Sequence, residues 1–376
     1  MTSGGTAVLS WLPPWVLEIW LNSQAVGKKY LLLFVCTAWI GCQHETLRNV
    51  QPRELQTTRL DSLSITPSQS APSLHWPQFL LAEKTGSFLW GEGREILRIR
   101  SPESGPVVLE PAAADLRKGL NKLVAAAQAP DGTLAVLDVS GRVSSLNPTS
   151  GQISSFETHL QNRPGDLALT KDRVFVLLQG ESEESSAVVG YTLNGVEVGK
   201  WGTMPPDGIV QASLRGGGLA ACPNGSVFYS YINSARIFRL ENDAKKGARA
   251  IGASSPFTEI SAREVQRAQR ESRYMRSVAP LVKLGLRASR VMALRCSQEG
   301  LLFRQVARPA GGGAQIEVWD PPTGKRLGTI PTAGGILLDV QDRTLYLGIN
   351  QADQSFRLDR VQFQIGPSRP TETAKR

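Results

Sequence analysis

Histidine is nearly missing from this chain: three residues in 376, His44, His75 and His159. The first two precede the repeated part, so neither a histidine-based triad nor a His-rich metal cluster can be assembled within the repeats. His159 is expected at the surface of a repeat. Cysteine is almost as scarce, with four residues and no C-x-x-C pair, which removes zinc ribbons and thioredoxin-type redox motifs. No Walker pattern or phosphate-cradling loop occurs. Gly216-Gly217-Gly218 and Gly311-Gly312-Gly313 lead into nothing like a helix start and read as flexible turns. No cofactor and no resident metal are expected.

What is present is a worn repeat. Ala127–Gly151, AQAPDGTLAVLDVSGRVSSLNPTSG, runs from a Pro-Asp-Gly turn into an apolar strand, then through a Ser-Gly turn into an alternating one. Related pieces are SPESG at Ser101–Gly105, CPNGSVFYS from Cys222 and IEVWDPPTGKRLGTI from Ile316. Turn residues between short apolar runs specify antiparallel strands. Six units are expected: from Phe79, Leu123, Gly165, about Gln211, Val291 and Gly335. They average about 48 residues, the size of a four-stranded propeller blade. The fold class is therefore all-β, a six-bladed β-propeller with one helical insertion between blades four and five. The short alternation Ser62–Ile65 is the expected strand that closes the ring. These copies resemble bacterial propellers of the NHL and TolB-like sort, and the VWDPPTGK turn resembles that of YVTN and WD-type repeats. That resemblance implies architecture, since propellers host scaffolds, lectins and enzymes alike.

Lys and Arg exceed Asp and Glu by nine, and the excess is concentrated. Between Lys245 and Arg290 stand eleven basic residues against Glu259, Glu264 and Glu271. The rest of the chain is close to neutral, which argues against nucleic acid as a partner. Within this segment the insertion, 256–287, reads as a helix. Ser261 and Glu264 form a capping box, in which each satisfies the other's backbone donor. Val265, Ala268, Ser272, Met275 and Ala279 recur on one face, and Pro280 is expected to end the helix. Arg263, Arg267 and Arg270 fall opposite, flanked by Arg273 and Arg276. This ridge is the candidate site for an anionic partner: lipid head groups, an envelope polymer or an acidic protein face. The competing reading is a solvated helix whose arginines pair locally with Glu264 and Glu271.

Gly27–Cys42, GKKYLLLFVCTAWIGC, has two lysines, an apolar run too short to span a bilayer and a small residue before a cysteine. It resembles a bacterial lipoprotein signal with Trp39-Ile40-Gly41-Cys42 as the lipobox, and the resemblance implies lipidation of Cys42. Residues 1–42 are thus the export-signal region, in which 1–26 fit badly as part of a signal and Val26 is the expected true start. Residues 43–77 read as a flexible tether, 78–365 as the propeller and 366–376 as a disordered tail. A monomer anchored at the cell envelope is expected, and Gln43 after the lipid site resembles outer-membrane sorting.

Trp90-Gly91-Glu92-Gly93 resembles a segment of gluconolactonase-like propellers, which implies a channel metal and, as the alternative function, a metal-dependent hydrolase or lactonase. Here Glu92 reads as a turn residue. Asp131, Asp138, Asp166 and Asp339 are further candidate channel carboxylates, although blade turns use Asp routinely. Cys222 and Cys296 hold equivalent places in adjacent blades. Such points usually lie farther apart than the ~6 Å Cα separation of a disulfide, so two buried free thiols are expected.

Overall fold

The computed structural model describes residues 55–365, except 66–76, 84, 101–107, 112–115, 117, 161, 181–185, 206–209, 211–215, 310–312 and 352–354. Cys36, Cys42, His44, His75 and the segments 1–42 and 366–376 lie outside the described residues.

Turn chemistry sets the strand pattern. In Pro130-Asp131-Gly132 the glycine takes φ 89°, the left-handed region, and its N–H donates to Ala129 O at 2.9 Å. Asp131 Oδ1 accepts from Thr133 N at 2.9 Å, which reverses the chain within four residues. Strands on either side of such turns are apolar on both faces, because each blade is covered by its two neighbours.

Six four-stranded antiparallel sheets result. Blade one holds β2 (Phe79–Ala82), β3 (Phe88–Glu92), β4 (Glu95–Arg100) and β5 (Val108–Pro111). Blade two holds β6 (Leu123–Gln128), β7 (Leu134–Asp138), β8 (Arg142–Leu146) and β9 (Ile153–Glu157). Blade three holds β10 (Arg163–Leu169), β11 (Arg173–Gln179), β12 (Ser186–Thr192) and β13 (Glu197–Thr203). Blade four holds β14 (Gly218–Ala221), β15 (Val227–Ser230), β16 (Arg236–Leu240) and β17 (Ala248–Ala253). Blade five holds β18 (Arg290–Cys296), β19 (Leu302–Ala307), β20 (Ala314–Asp320) and β21 (Lys325–Pro331). Blade six takes β22 (Ile336–Gln341), β23 (Thr344–Asn350) and β24 (Phe356–Gln364) from the end of the chain and β1 (Gln56–Ile65) from its beginning. The molecule is a six-bladed β-propeller.

β1 closes the ring. It pairs antiparallel with β24 from Gln56↔Gln364 to Ile65↔Phe356, so the strand starts six residues before the Ser62–Ile65 alternation and within the stretch 43–77. Arg59 and Ser62 converge on Asp359 at 2.9 and 2.8 Å, and Arg360 pairs with Asp61. Both flanks of this blade are packed. Trp90 of blade one meets Phe356 edge to face at 4.7 Å, and Phe303 of blade five meets Phe363 at 5.1 Å.

Cys222 and Cys296 form a disulfide, with Cα atoms 5.3 Å apart, where free thiols were expected. The reason is a local approach of the inner strands of blades four and five. A Cβ on Gly218 would lie 2.4 Å from Leu294 N, so only glycine lets β14 and β18 come this close. Gly217 N donates to Val291 O at 2.9 Å and Val291 N to Ile232 O at 2.6 Å, joining the two blades through backbone. The first glycine run is thus a contact between blades as well as a turn.

The insertion between blades four and five is two helices, where one was expected. α1 (Ala262–Met275) opens on the Ser261–Glu264 capping box and ends at Arg276 in the left-handed conformation, φ 49°. α2 (Ala279–Leu286) starts with Pro280 in its first turn, where a missing N–H costs nothing. Pro280 therefore begins the second helix, and Ala279 belongs to it. Val265 and Ala268 of α1 and Leu281 of α2 are buried with Val210 in a small cluster of their own. Met275, expected on the packed face, is exposed.

Candidate functional site

Two places in the fold gather charge. One is the central channel, the other the outer face of α1.

In the channel, a β-bulge precedes each of two aspartates on inner strands: the register shifts between Pro164 and Asp166 in β10 and between Leu337 and Asp339 in β22. A bulge re-aims the following side chain. Blades three and six stand opposite in a ring of six, so the two carboxylates come from opposite walls. Asp166 accepts from Leu167 N at 2.9 Å and, across the blade boundary, from Leu219 N at 2.8 Å. Asp339 repeats this, accepting from Val340 N at 2.8 Å and from Ala82 N of blade one at 2.7 Å. Each carboxylate is therefore a staple between consecutive blades. Gln305 staples blades five and six in the same spirit, donating to Gly335 O and accepting from Leu337 N.

Arg295 of blade five reaches between them. Its Nη1 lies 3.6 Å from Asp166 Oδ2, and its Nε donates to Leu338 O at 2.8 Å. Burial pushes the Asp339 carboxyl up to about 6, against the opposing pull of two backbone N–H donors and Arg295. Burial also raises Asp166, with Arg295 the main counterweight. One guanidinium beside two such acids balances about one negative charge. Above it opens a cavity of about 530 Å³ at the end of the channel where the first-to-second strand turns gather; Glu83, Asp131, Gln298 and Gln341 stand on its rim. Of the four candidate aspartates, Asp339 and Asp166 belong to this channel. Asp138 is a buried turn residue, accepting from Asn121 N, Ser140 N, Ser140 Oγ and Arg142 N. Glu92 ends β3 and receives Trp90 Nε1 at 3.3 Å, and His159 is exposed after β9. Among the described residues no three His, Cys, Asp or Glu side chains form a metal cluster.

On the insertion, Arg263, Arg267, Arg270, Arg273 and Arg276 are all exposed. The acids that could have neutralised them are committed. Glu264 accepts from Ser261 N at 2.9 Å and Ser261 Oγ at 2.6 Å, and those hydrogen bonds hold its carboxyl below the usual range. Glu259 accepts from Ala235 N at 3.0 Å. Glu271 pairs with Arg267 at 3.0 Å. Among the described residues Arg263, Arg270, Arg273 and Arg276 have no acidic partner within ion-pair distance. Local pairing thus accounts for one arginine of the five. What sequence reasoning missed here is apolar: Tyr274, Met275 and Val278 at the turn between the helices, and Leu286 on α2, are large and exposed.

No model of a known protein family matches the chain, and no characterised protein matches it by sequence. Solved structures similar to it include virginiamycin B lyase from Staphylococcus aureus, 12% identical with a TM-score of 0.47, covering 84% of this chain and 96% of that one. Regucalcin, a calcium-binding protein from Agrobacterium tumefaciens, is 14% identical with a TM-score of 0.46, covering 84% of this chain and 97% of that one.

Proposed function

We propose that this propeller is a non-catalytic binding module of the cell envelope, held there through lipid on Cys42 and engaging an anionic partner with the arginine ridge of α1. The observation that carries the reading is the set of four exposed arginines with no acidic partner among the described residues, on a helix whose two acids are engaged with Ser261 and Arg267. Unneutralised cations on one rigid face create a local potential that attracts polyanions. A helical excursion from a closed ring is a common place to carry function, because the ring fixes its position.

Two further features support the reading. The Cys222–Cys296 disulfide suits an oxidising compartment, as expected of an exported chain. The channel carboxylates Asp166 and Asp339 each spend their oxygens on one backbone N–H of their own strand and one of the adjacent blade, which is a structural use. The envelope address, with the outer membrane favoured, goes with the lipobox-like segment ending in Cys42.

The test is retention of the full chain on soluble long-chain polyphosphate. The triple variant Arg263→Glu, Arg267→Glu, Arg270→Glu should lose retention, and rising salt should weaken the wild type in parallel. Unchanged retention of the variant would remove the ridge from the function. Palmitate labelling that survives Cys42→Ser would remove the anchor.

A further inference from the structure

We propose that the turn between α1 and α2 inserts into an anionic phospholipid surface, with apolar side chains entering the head-group layer and the arginines collaring them. This rests on the reading of the ridge as an anion site and names its partner. Tyr274 is 91% exposed, Met275 and Val278 61% each, and Leu286 46%. Burial is the rule for side chains of this size, so an exposed cluster of them calls for a partner. The strip continues along α2 into a shallow apolar groove of about 380 Å³ formed by Ala279, Val282, Leu286 and Pro309, with Lys283 and Arg287 on its edge.

Around this strip stand Arg270, Arg273, Arg276, Lys283 and Arg287, none with an acidic partner among the described residues. Apolar tip and cationic collar together match the layered chemistry of an anionic bilayer: hydrocarbon beneath, phosphate above. Tyrosine favours that boundary because its ring is apolar and its hydroxyl wet, while Arg and Lys stems lie along apolar surface and keep their charges in the phosphate layer. A folded acidic protein would instead favour arginines pre-set in fixed forks, and among the described residues only Arg267 of the ridge is held, by Glu271 at 3.0 Å. Each cation near an anionic leaflet strengthens binding by about fivefold, so several of them with a modest apolar insertion suffice for docking.

The experiment uses the full chain carrying the photoreactive residue p-benzoylphenylalanine in place of Tyr274, or of exposed Val196 in blade three as control. It is irradiated on vesicles of phosphatidylcholine with or without phosphatidylglycerol. Lipid adducts at 274 and not at 196, only with phosphatidylglycerol, are expected. Arg270→Gln, Arg273→Gln, Arg276→Gln should reduce adduct yield about a hundredfold. Met275→Ser with Val278→Ser should reduce it about tenfold while leaving polyphosphate retention intact. Adducts equal at both positions, or equal on neutral vesicles, overturn the inference. Retention on polyphosphate without lipid adducts overturns it too and leaves the function reading standing, whereas loss of both removes the two together.

Discussion

Removing the Cys222–Cys296 bond measures how the ring holds its most interrupted boundary. The two cysteines are 74 residues apart in sequence, and the chain between them carries the whole helical excursion. In the chain-entropy account, a crosslink closing a loop of that length stabilises the native state by about 4 to 5 kcal/mol at 25 °C; measured values more often fall near 2 to 4 kcal/mol. The perturbation is Cys222→Ala with Cys296→Ala, which fits because both side chains sit among apolar neighbours such as Phe228 and Trp319. Urea unfolding followed by tryptophan fluorescence should give a midpoint lower by the equivalent of about 2 to 4 kcal/mol. Amide exchange should quicken first in β14 and β18, the strands the bond joins. Alkylation of the unreduced, denatured wild type, read by mass spectrometry, checks the premise. Modifiable thiols at 222 and 296, or identical midpoints for wild type and variant, would refute the reasoning.

Phe363→Ala should destabilise the protein by about 3 to 5 kcal/mol, since the ring is fully buried against Phe303 in the blade that closes the circle; a thermal melt reads it. Glu317→Gln should cost about 3 kcal/mol in urea unfolding, because it leaves Arg304, fully buried and 3.0 Å from Glu317, without its counter-charge. Asp339 has a pH signature. Its carboxyl titrates near 6 when folded and near the ordinary 3.8 when unfolded, so the folded state keeps the proton longer. Stability from this group is present below about pH 4 and falls as pH rises through about 6, by roughly 1 to 2 kcal/mol once channel solvent is allowed for. Asp339→Asn should flatten that slope in melts between those pH values, and a slope unchanged by the substitution would sink the assignment.

The blades were legible because their signals are local. Pro130-Asp131-Gly132 turns where its residues say it must, and Ser261 with Glu264 caps α1 as their spacing of three requires. The ridge was legible for the same reason, since helical spacing alone puts Arg263, Arg267 and Arg270 on one face. What stayed hidden depends on distant partners. Cys222 meets Cys296 only because Gly218 lets two inner strands touch, and the spacing of cysteines carries no trace of that. Pro280 can end one helix or start the next, and the choice was made by Arg276 adopting a left-handed cap. Asp166 and Asp339 could be suspected from an acid set among apolar residues on a first strand. Their shared guanidinium, Arg295, comes from a third blade and had no such mark.

The seam between β1 and β24 also dictates an order of events in the cell. Gln56 emerges from the ribosome long before Gln364, its partner in the finished sheet. Throughout synthesis the first strand has no mate, so the toroid can lock only after β24, Phe356–Gln364, has been made. A polypeptide released before Phe356 would lack the strand that β1 needs, leaving an open edge for proteases to find.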